Sequence, residues 1–374
     1  MDPNQPLPLL AGLTPAQFMR RHWQRKPLLV RQALPGIDAP LSRSALFALA
    51  ADDAVESRLV VRRGDDDWAL RHGPLPRRAL PPLKQPGWTL LVQGLDLHLP
   101  AAHELLQRFR FVPDARLDDL MLSWASDGGG VGPHLDSYDV FLIQVHGRRR
   151  WRVGRARDRR FIDGLPLKIL RRFEPEHDWL LEPGDLLYLP PQWAHDGVAV
   201  GECMTASVGF RAPALGELGR ELLARLAEQG APDGRERLYG DAAQPPTATP
   251  GAIPAALQDF AGRALQAALS GPDVVACALG ELLSEPKARV WFEPPPRGCG
   301  LSGGVRLDRR TRMLYDARHV YINGESFRAG GADARLLRRL ADRRELAAPE
   351  LSRLSAPARA IVEDWAAAGW LREP

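Results

Sequence analysis

His134 and Asp136 stand two residues apart in GPHLDSYDV, and on an extended strand such positions project from one face, so an imidazole and a carboxylate converge. A third ligand from a distant strand would complete a facial triad of two histidines and one carboxylate, which leaves positions open on ferrous iron, Fe(2+). His195 is the candidate. It lies far downstream in LEPGDLLYLPPQWAHDGVAV, where a strand ends at Pro190-Pro191, a loop follows and His195 begins the next strand. The open positions would take a 2-oxo acid through its keto group and adjacent carboxylate, with molecular oxygen (O2) beside it. A dicarboxylate held this way needs a cation at its far end. Alternation in RRRWRV groups Arg149 with Trp151 and Val153 and sends Arg148, Arg150 and Arg152 the other way. An arginine on the apolar face needs an anion, and two carboxylate oxygens match its planar fork.

His-x-Asp by itself is commonly a surface turn or a core histidine. The Gly-rich approach, the distant P-x-x-x-H and the inward arginine together favour the metal. GGGVG at 128–132 lacks the lysine of a phosphate loop and leads into a strand, so it reads as a flexible entrance to the site. His22, His72, His98, His103, His146, His177 and His319 have no matching constellation and default to structural or surface roles. Trp23, Trp124, Trp151 and Trp193 read as packing residues, and Cys203 as a core residue as readily as a reactive one.

These residues need a rigid frame. From about Leu117, DDLMLSWAS, the stretch around HLDSYDVFLIQV, RRRWRVG, GDLLYLP and MTASVGF are short apolar runs divided by Gly and Pro, the pattern of a β-sandwich or barrel. His146-Gly147 reads as a tight hairpin and Glu182–Asp185 as a second turn. Upstream, Thr14 and Pro15 start a helix that ends before Pro27. Leu28–Val30 is a short strand, ALFALA a helix, and SRLVVRR and WTLLVQG are strands. Beyond Pro213, ALGELGRELLARLAEQ, PAALQDFAGRALQAAL and DVVACALGELLSE carry helical spacing, with a long polar loop over residues 231–251 between the first two. After Pro294–Pro296, GGVRLD, RMLYDA and HVYING read as strands and ARLLRRLADRRE and PARAIVEDWAAAGW as helices, which suggests a winged helix.

The 374 residues exceed one small core and predict at least two domains. Hydrophobic residues at 45% and charged residues at 26% exclude a fibrous or wholly disordered chain. A net charge of +4 permits a nucleic-acid partner without requiring one. Cys203, Cys277 and Cys299 are scattered and odd in number, which favours a reducing compartment. The amino terminus lacks the marks of a secretion signal, and no apolar run approaches the roughly 20 residues of a membrane span. A cytoplasmic protein is expected.

The motifs FMRRHWQRKPLLVR, DDLMLSWASDGGGVGPHLDSYDVFLIQVHGRRRWRVG, LEPGDLLYLPPQWAHDG and SVGFRAP, in this order and spacing, resemble the JmjC-type ribosomal oxygenases, in particular the bacterial branch that hydroxylates an arginine of large-subunit ribosomal protein L-sixteen. The resemblance covers nearly the whole chain. It implies an α+β protein: a double-stranded β-helix (jelly-roll, cupin-like) oxygenase domain over 1–213, a helical dimerisation domain over 214–293 and a winged helix over 294–374. It places iron on His134, Asp136 and His195, the distal carboxylate of 2-oxoglutarate on Arg149, and cosubstrate contacts on Ser123 and Ser207. It further implies a ribosomal-protein substrate, a homodimer, and no need for direct nucleic-acid binding. A substrate arginine would be anchored by acids and aromatics near the mouth, Tyr138 or Asp139 among them. Two alternatives stay open: the same chemistry on a ribosomal histidine or a methyl-lysine, and a silent cupin-like module that binds protein or nucleic acid.

Overall fold

Strands with one apolar face must cover that face, and in this chain one sheet does so by curling over itself. The computed structural model describes residues 2–64, 67–228, 238–242, 244–247, 249–294 and 303–374. It divides into two units, Met1–Ala212 and Pro213–Pro374.

The first unit holds β1 (Leu28–Val30), β2 (Ser57–Arg62), β3 (Trp68–His72), β4 (Trp88–Val92), β5 (Leu117–Ala125), β6 (His134–Leu135), β7 (Asp139–Arg155), β8 (His177–Leu181), β9 (Leu186–Leu189) and β10 (Trp193–Phe210). They form one sheet in the order β1-β9-β7-β10-β5-β4-β2-β3, with β6 beside β10 and β8 beside β7. The long antiparallel pair β7 and β10 runs through both walls of this double-stranded β-helix. On one side of the sheet Phe18, Trp88, Trp124, Phe141, Tyr188 and Phe210 build the main core. A second cluster around Trp151, Val153, Leu181 and Leu187 backs the wall that carries the arginines. Helix α1 (Pro15–Arg21) begins with the capping box of Thr14 and Gln17, and α2 (Arg43–Leu49) is capped by Ser42. The short helices α3 (Leu95–His98) and α4 (Pro100–Gln107) lead into β5.

His146-Gly147 does not close a hairpin. Residues 139–155 are one strand, and Gly147, at φ +62°, forms a bulge opposite residues 201–203 of β10. A Cβ on Gly147 would overlap the Glu202 carbonyl. The two runs expected as separate strands are therefore continuous, and MTASVGF is likewise the far end of β10.

The second unit begins with α5 (Leu215–Glu228), α6 (Ala255–Ala268) and α7 (Val274–Ser284). Arg225 of α5 pairs with Glu281 at 3.3 Å and Glu285 at 3.2 Å on and beside α7. Of the loop expected over 231–251, the described residues carry no helix or strand, and the rest lie outside them, as do Pro295, Pro296 and Cys299. The winged helix follows as β11 (Gly304–Leu307), β12 (Met313–Tyr315), β13 (His319–Ile322), β14 (Glu325–Arg328), α8 (Gly331–Arg343), β15 (Glu345–Ala347), α9 (Ala348–Leu351), α10 (Ala356–Ala367) and β16 (Leu371–Arg372). Its two small sheets run β15-β11-β16 and β12-β13-β14 around Val305, Leu336, Leu340, Val362 and Trp365. Asn323 and Gly324, at φ +48° and +91°, turn β13 into β14 as the positive φ of a two-residue hairpin loop requires.

Candidate active site

Two residues of β6 suffice to set the histidines together, because His134 pairs directly across the sheet with His195. Their ring centroids lie 4.2 Å apart. Asp136, just past β6, brings Oδ1 to 3.7 Å from His134 Nε2 and Oδ2 to 3.4 Å from His195 Nε2. One ligand atom from each of the three falls within 4.8 Å of the others, a spacing that a single ion can bridge. Each Nδ1 is held by a carbonyl, His134 by Gly132 at 2.9 Å and His195 by Trp193 at 3.0 Å. With the proton on Nδ1, both Nε2 lone pairs face Asp136, the orientation a metal-binding histidine needs.

The electrostatics suit an ion. Burial and the neighbouring His195 hold the His134 imidazole below its usual range. Burial alone would raise Asp136, but the His195 hydrogen bond and the charge of both imidazoles bring it down to about 2. Burial likewise works against a charged His195, and Asp136 outweighs it and raises the group.

The Gly-rich segment before His134 is not a flexible entrance. Gly128 N–H donates to Ala199 O at 3.0 Å, and Ala199 N–H donates back to Gly129 O at 2.9 Å. A Cβ on Gly130 would stand 2.6 Å from Gly197 O, so these glycines allow backbone to lie on backbone. The segment is a strap that fixes β6.

Arg149 pairs with Ala199 across β7 and β10 and is 5% exposed. Its Nη1 donates to Ser123 Oγ at 3.3 Å, and its Cζ sits 5.6 Å from the Trp151 ring centroid. Nε and Nη2 are buried without partners. A desolvated guanidinium with two unpartnered nitrogens demands an anion. Ser123 Oγ donates in turn to Thr205 O at 3.3 Å, which fixes the hydroxyl beside the guanidinium. A cavity of about 430 Å³ is lined by the triad, Arg149, Ser123 and Ser207 together. Trp151, expected only to pack, also lines it, with its ring 5.9 Å from that of His195.

Tyr138 lines the same cavity and is 40% exposed, and burial with the charge of Asp136 raises its phenol. Asp139 does not line the cavity wall. It is fully buried, accepts from Tyr188 Oη at 2.6 Å and Gln24 Nε2 at 3.1 Å, and pairs with Arg116 at 3.2 Å, so it ties the segment after α1 to the sheet. The cavity adds Asp118, Asp119 and Arg58, which the sequence reading did not single out. A signal existed for two of them. Counting back from Ser123 by twos reaches Met121 and Asp119, and Arg58 shares its strand face with Val60.

Residues 104–218 match the JmjC domain family, and residues 262–372 match the ROXA-like winged helix. The chain is 38% identical over 322 residues to the ribosomal protein uL16 3-hydroxylase of Escherichia coli, covering 82% of this chain and 84% of that one. A crystal structure of Escherichia coli YcfD superposes with a TM-score of 0.84 at 31% identity, over 96% of this chain and 98% of that one. A second structure, described as YcfD in complex with cobalt and 2-oxoglutarate, gives a TM-score of 0.79 at 32% identity over the same shares. With this likeness spanning both the β-helix and the winged helix, the chain belongs to the JmjC-type ribosomal oxygenases, the family of the Escherichia coli uL16 3-hydroxylase.

Proposed function

We propose that this protein is an iron(II)- and 2-oxoglutarate-dependent oxygenase that hydroxylates an arginine side chain of large-subunit ribosomal protein uL16. The observation that carries the reading is the buried, partly unpartnered guanidinium of Arg149 in the same cavity as His134, Asp136 and His195. In this reading the three residues hold iron through two Nε2 atoms and a carboxylate oxygen. Arg149 receives the distal carboxylate of 2-oxoglutarate, Ser123 supports it, and Ser207 lines the cosubstrate wall. The relative described with cobalt and 2-oxoglutarate, and the relative named as a uL16 3-hydroxylase, support these ligands and this substrate.

When bound, iron, 2-oxoglutarate and oxygen supply the oxidation: one oxygen atom enters a substrate C–H bond and the other leaves in succinate, with carbon dioxide released. The chain itself positions and excludes. Carbonyls of Gly132 and Trp193 hold a proton on each Nδ1 and so turn each Nε2 toward the place of the ion, and Leu91, Met121 and Leu167 give part of the cavity an apolar wall. Asp118, Asp119 and Tyr138 offer carboxylates and a ring to a cationic side chain, which favours arginine over a neutral histidine.

The chain works as an oxygenase domain over 1–213, a dimerisation domain over 214–293 and a winged helix over 294–374. Helices α5 and α6 contain no buried residue, and Leu223 at 54% and Leu265 at 64% exposed leave apolar surface for a second copy. No described helix is long and apolar enough to cross a membrane, and a ribosomal-protein substrate supports a cytoplasmic enzyme. Nucleic-acid binding by the winged helix is not required. Mass spectrometry of ribosomal proteins from cells with and without the gene tests the substrate: an arginine of uL16 should lose about 16 daltons, one oxygen, in the deletion strain. An unchanged uL16, or a loss on another protein, would refute the assignment.

A further inference from the structure

Arg58 in β2 lines the cavity beside Val60, and its Nε is buried without a hydrogen-bond partner. It is a second arginine in that cavity with an unused N–H, apart from Arg149 and on a different strand. Asp118, Asp119, Asp136 and Tyr138 line the same cavity as Arg58. Two carboxylates beside the triad's own Asp136, and the guanidinium of Arg58, thus line one cavity; Asp118 also pairs with Arg211 at 3.0 Å, and Asp119 accepts from Gly94 N–H at 3.0 Å.

A substrate guanidinium entering this region is drawn to the carboxylates and repelled by Arg58. Arg58 therefore needs a different partner from the same substrate, one that accepts hydrogen bonds. The acceptors a polypeptide always offers beside any side chain are its main-chain carbonyls. An unsatisfied buried N–H is costly, and a charged donor to a carbonyl is among the stronger hydrogen bonds, so the contact is gained on binding. Resting on the proposed arginine hydroxylation, we infer that Arg58 is a specificity-determining residue that grips a main-chain carbonyl of the substrate polypeptide next to the target arginine. The carboxylates read the side chain, and Arg58 reads the backbone that carries it.

The test compares Arg58→Met and Arg58→Lys with the wild-type protein, loaded with iron and 2-oxoglutarate, on a uL16 peptide. Arg58→Met is expected to raise KM for the peptide roughly 10- to 100-fold, with KM for 2-oxoglutarate within about twofold of wild type. Arg58→Lys, which keeps the charge and stem but loses the fork, should recover part of the loss. A peptide KM unchanged in both variants overturns the inference. So does a rise in KM for 2-oxoglutarate instead, which would make Arg58 a cosubstrate anchor. If Arg58→Met fails to fold, Arg58→Lys decides alone, and an unchanged peptide KM there counts against it. A wild-type protein that does not hydroxylate the peptide refutes the proposed function, a result distinct from either outcome.

Discussion

At the scale of the residue, the proposed chemistry depends on Arg149 and the triad. Replacing Arg149 with Met removes the fork that faces the cavity, and the dissociation constant for 2-oxoglutarate should rise by roughly 100-fold or more, the loss expected for a bidentate charged contact. Isothermal titration of 2-oxoglutarate into the metal-loaded variant measures this directly, and retained metal binding shows that the loss is local. Asp136→Ala should lower cobalt affinity by at least about 100-fold, since it removes a ligand where even an outer partner is worth 10- to 100-fold. These residues were legible because strand alternation is a strict rule: it joined His134 to Asp136 and turned Arg149 inward. Arg58 shares a strand face with Val60, but that signal was incomplete, because nothing in SRLVVRR says which face of β2 meets a cavity. Asp139 misled for the opposite reason, since an acid beside Tyr138 looks exposed until Tyr188, Gln24 and Arg116 are seen to bury it.

At the scale of the element, glycines decide how closely the walls approach. A Cβ on Gly197 would meet the Trp151 ring at 2.6 Å, so Gly197→Ala must move the indole that lies between Arg149 and His195. The variant is expected to lose about 1–3 kcal/mol of stability and to bind 2-oxoglutarate more weakly; a thermal melt and a ligand titration check both. Gly147 shows why the hairpin expectation failed. A glycine at positive φ serves a tight turn or a bulge equally well, and only the partner strand β10 tells the two apart. In the winged helix, Asp308 is buried and accepts from Arg310 at 2.8 Å and pairs with Arg372 at 2.5 Å. Burial alone would raise this carboxyl, but the Arg310 hydrogen bonds and the two arginine charges hold it below its usual value. A depressed folded pKa means the contribution is fully present above the unfolded value near 3.9 and fades as pH falls through the folded one. Asp308→Asn should therefore cost about 1–3 kcal/mol at neutral pH, and its deficit in melting temperature should shrink on acidification below that range.

At the scale of the whole molecule, the order of β-rich and helical stretches was readable because hydrophobic period switches from two to three and four near Pro213, where the second unit begins. What surface α5 and α6 present was not, since periodicity shows an apolar stripe and not what covers it. If a second copy covers it, Leu223→Glu with Leu265→Glu should convert a dimer to a monomer in light scattering, and an unchanged mass would refute the dimer. The most direct measurement of the proposed chemistry is reconstitution. Purified protein, iron(II), 2-oxoglutarate and a uL16 fragment should release succinate in step with a gain of about 16 daltons on one arginine, and Asp136→Ala should abolish both. Succinate without the mass gain, a gain on another residue type, or full turnover by Asp136→Ala would contradict it.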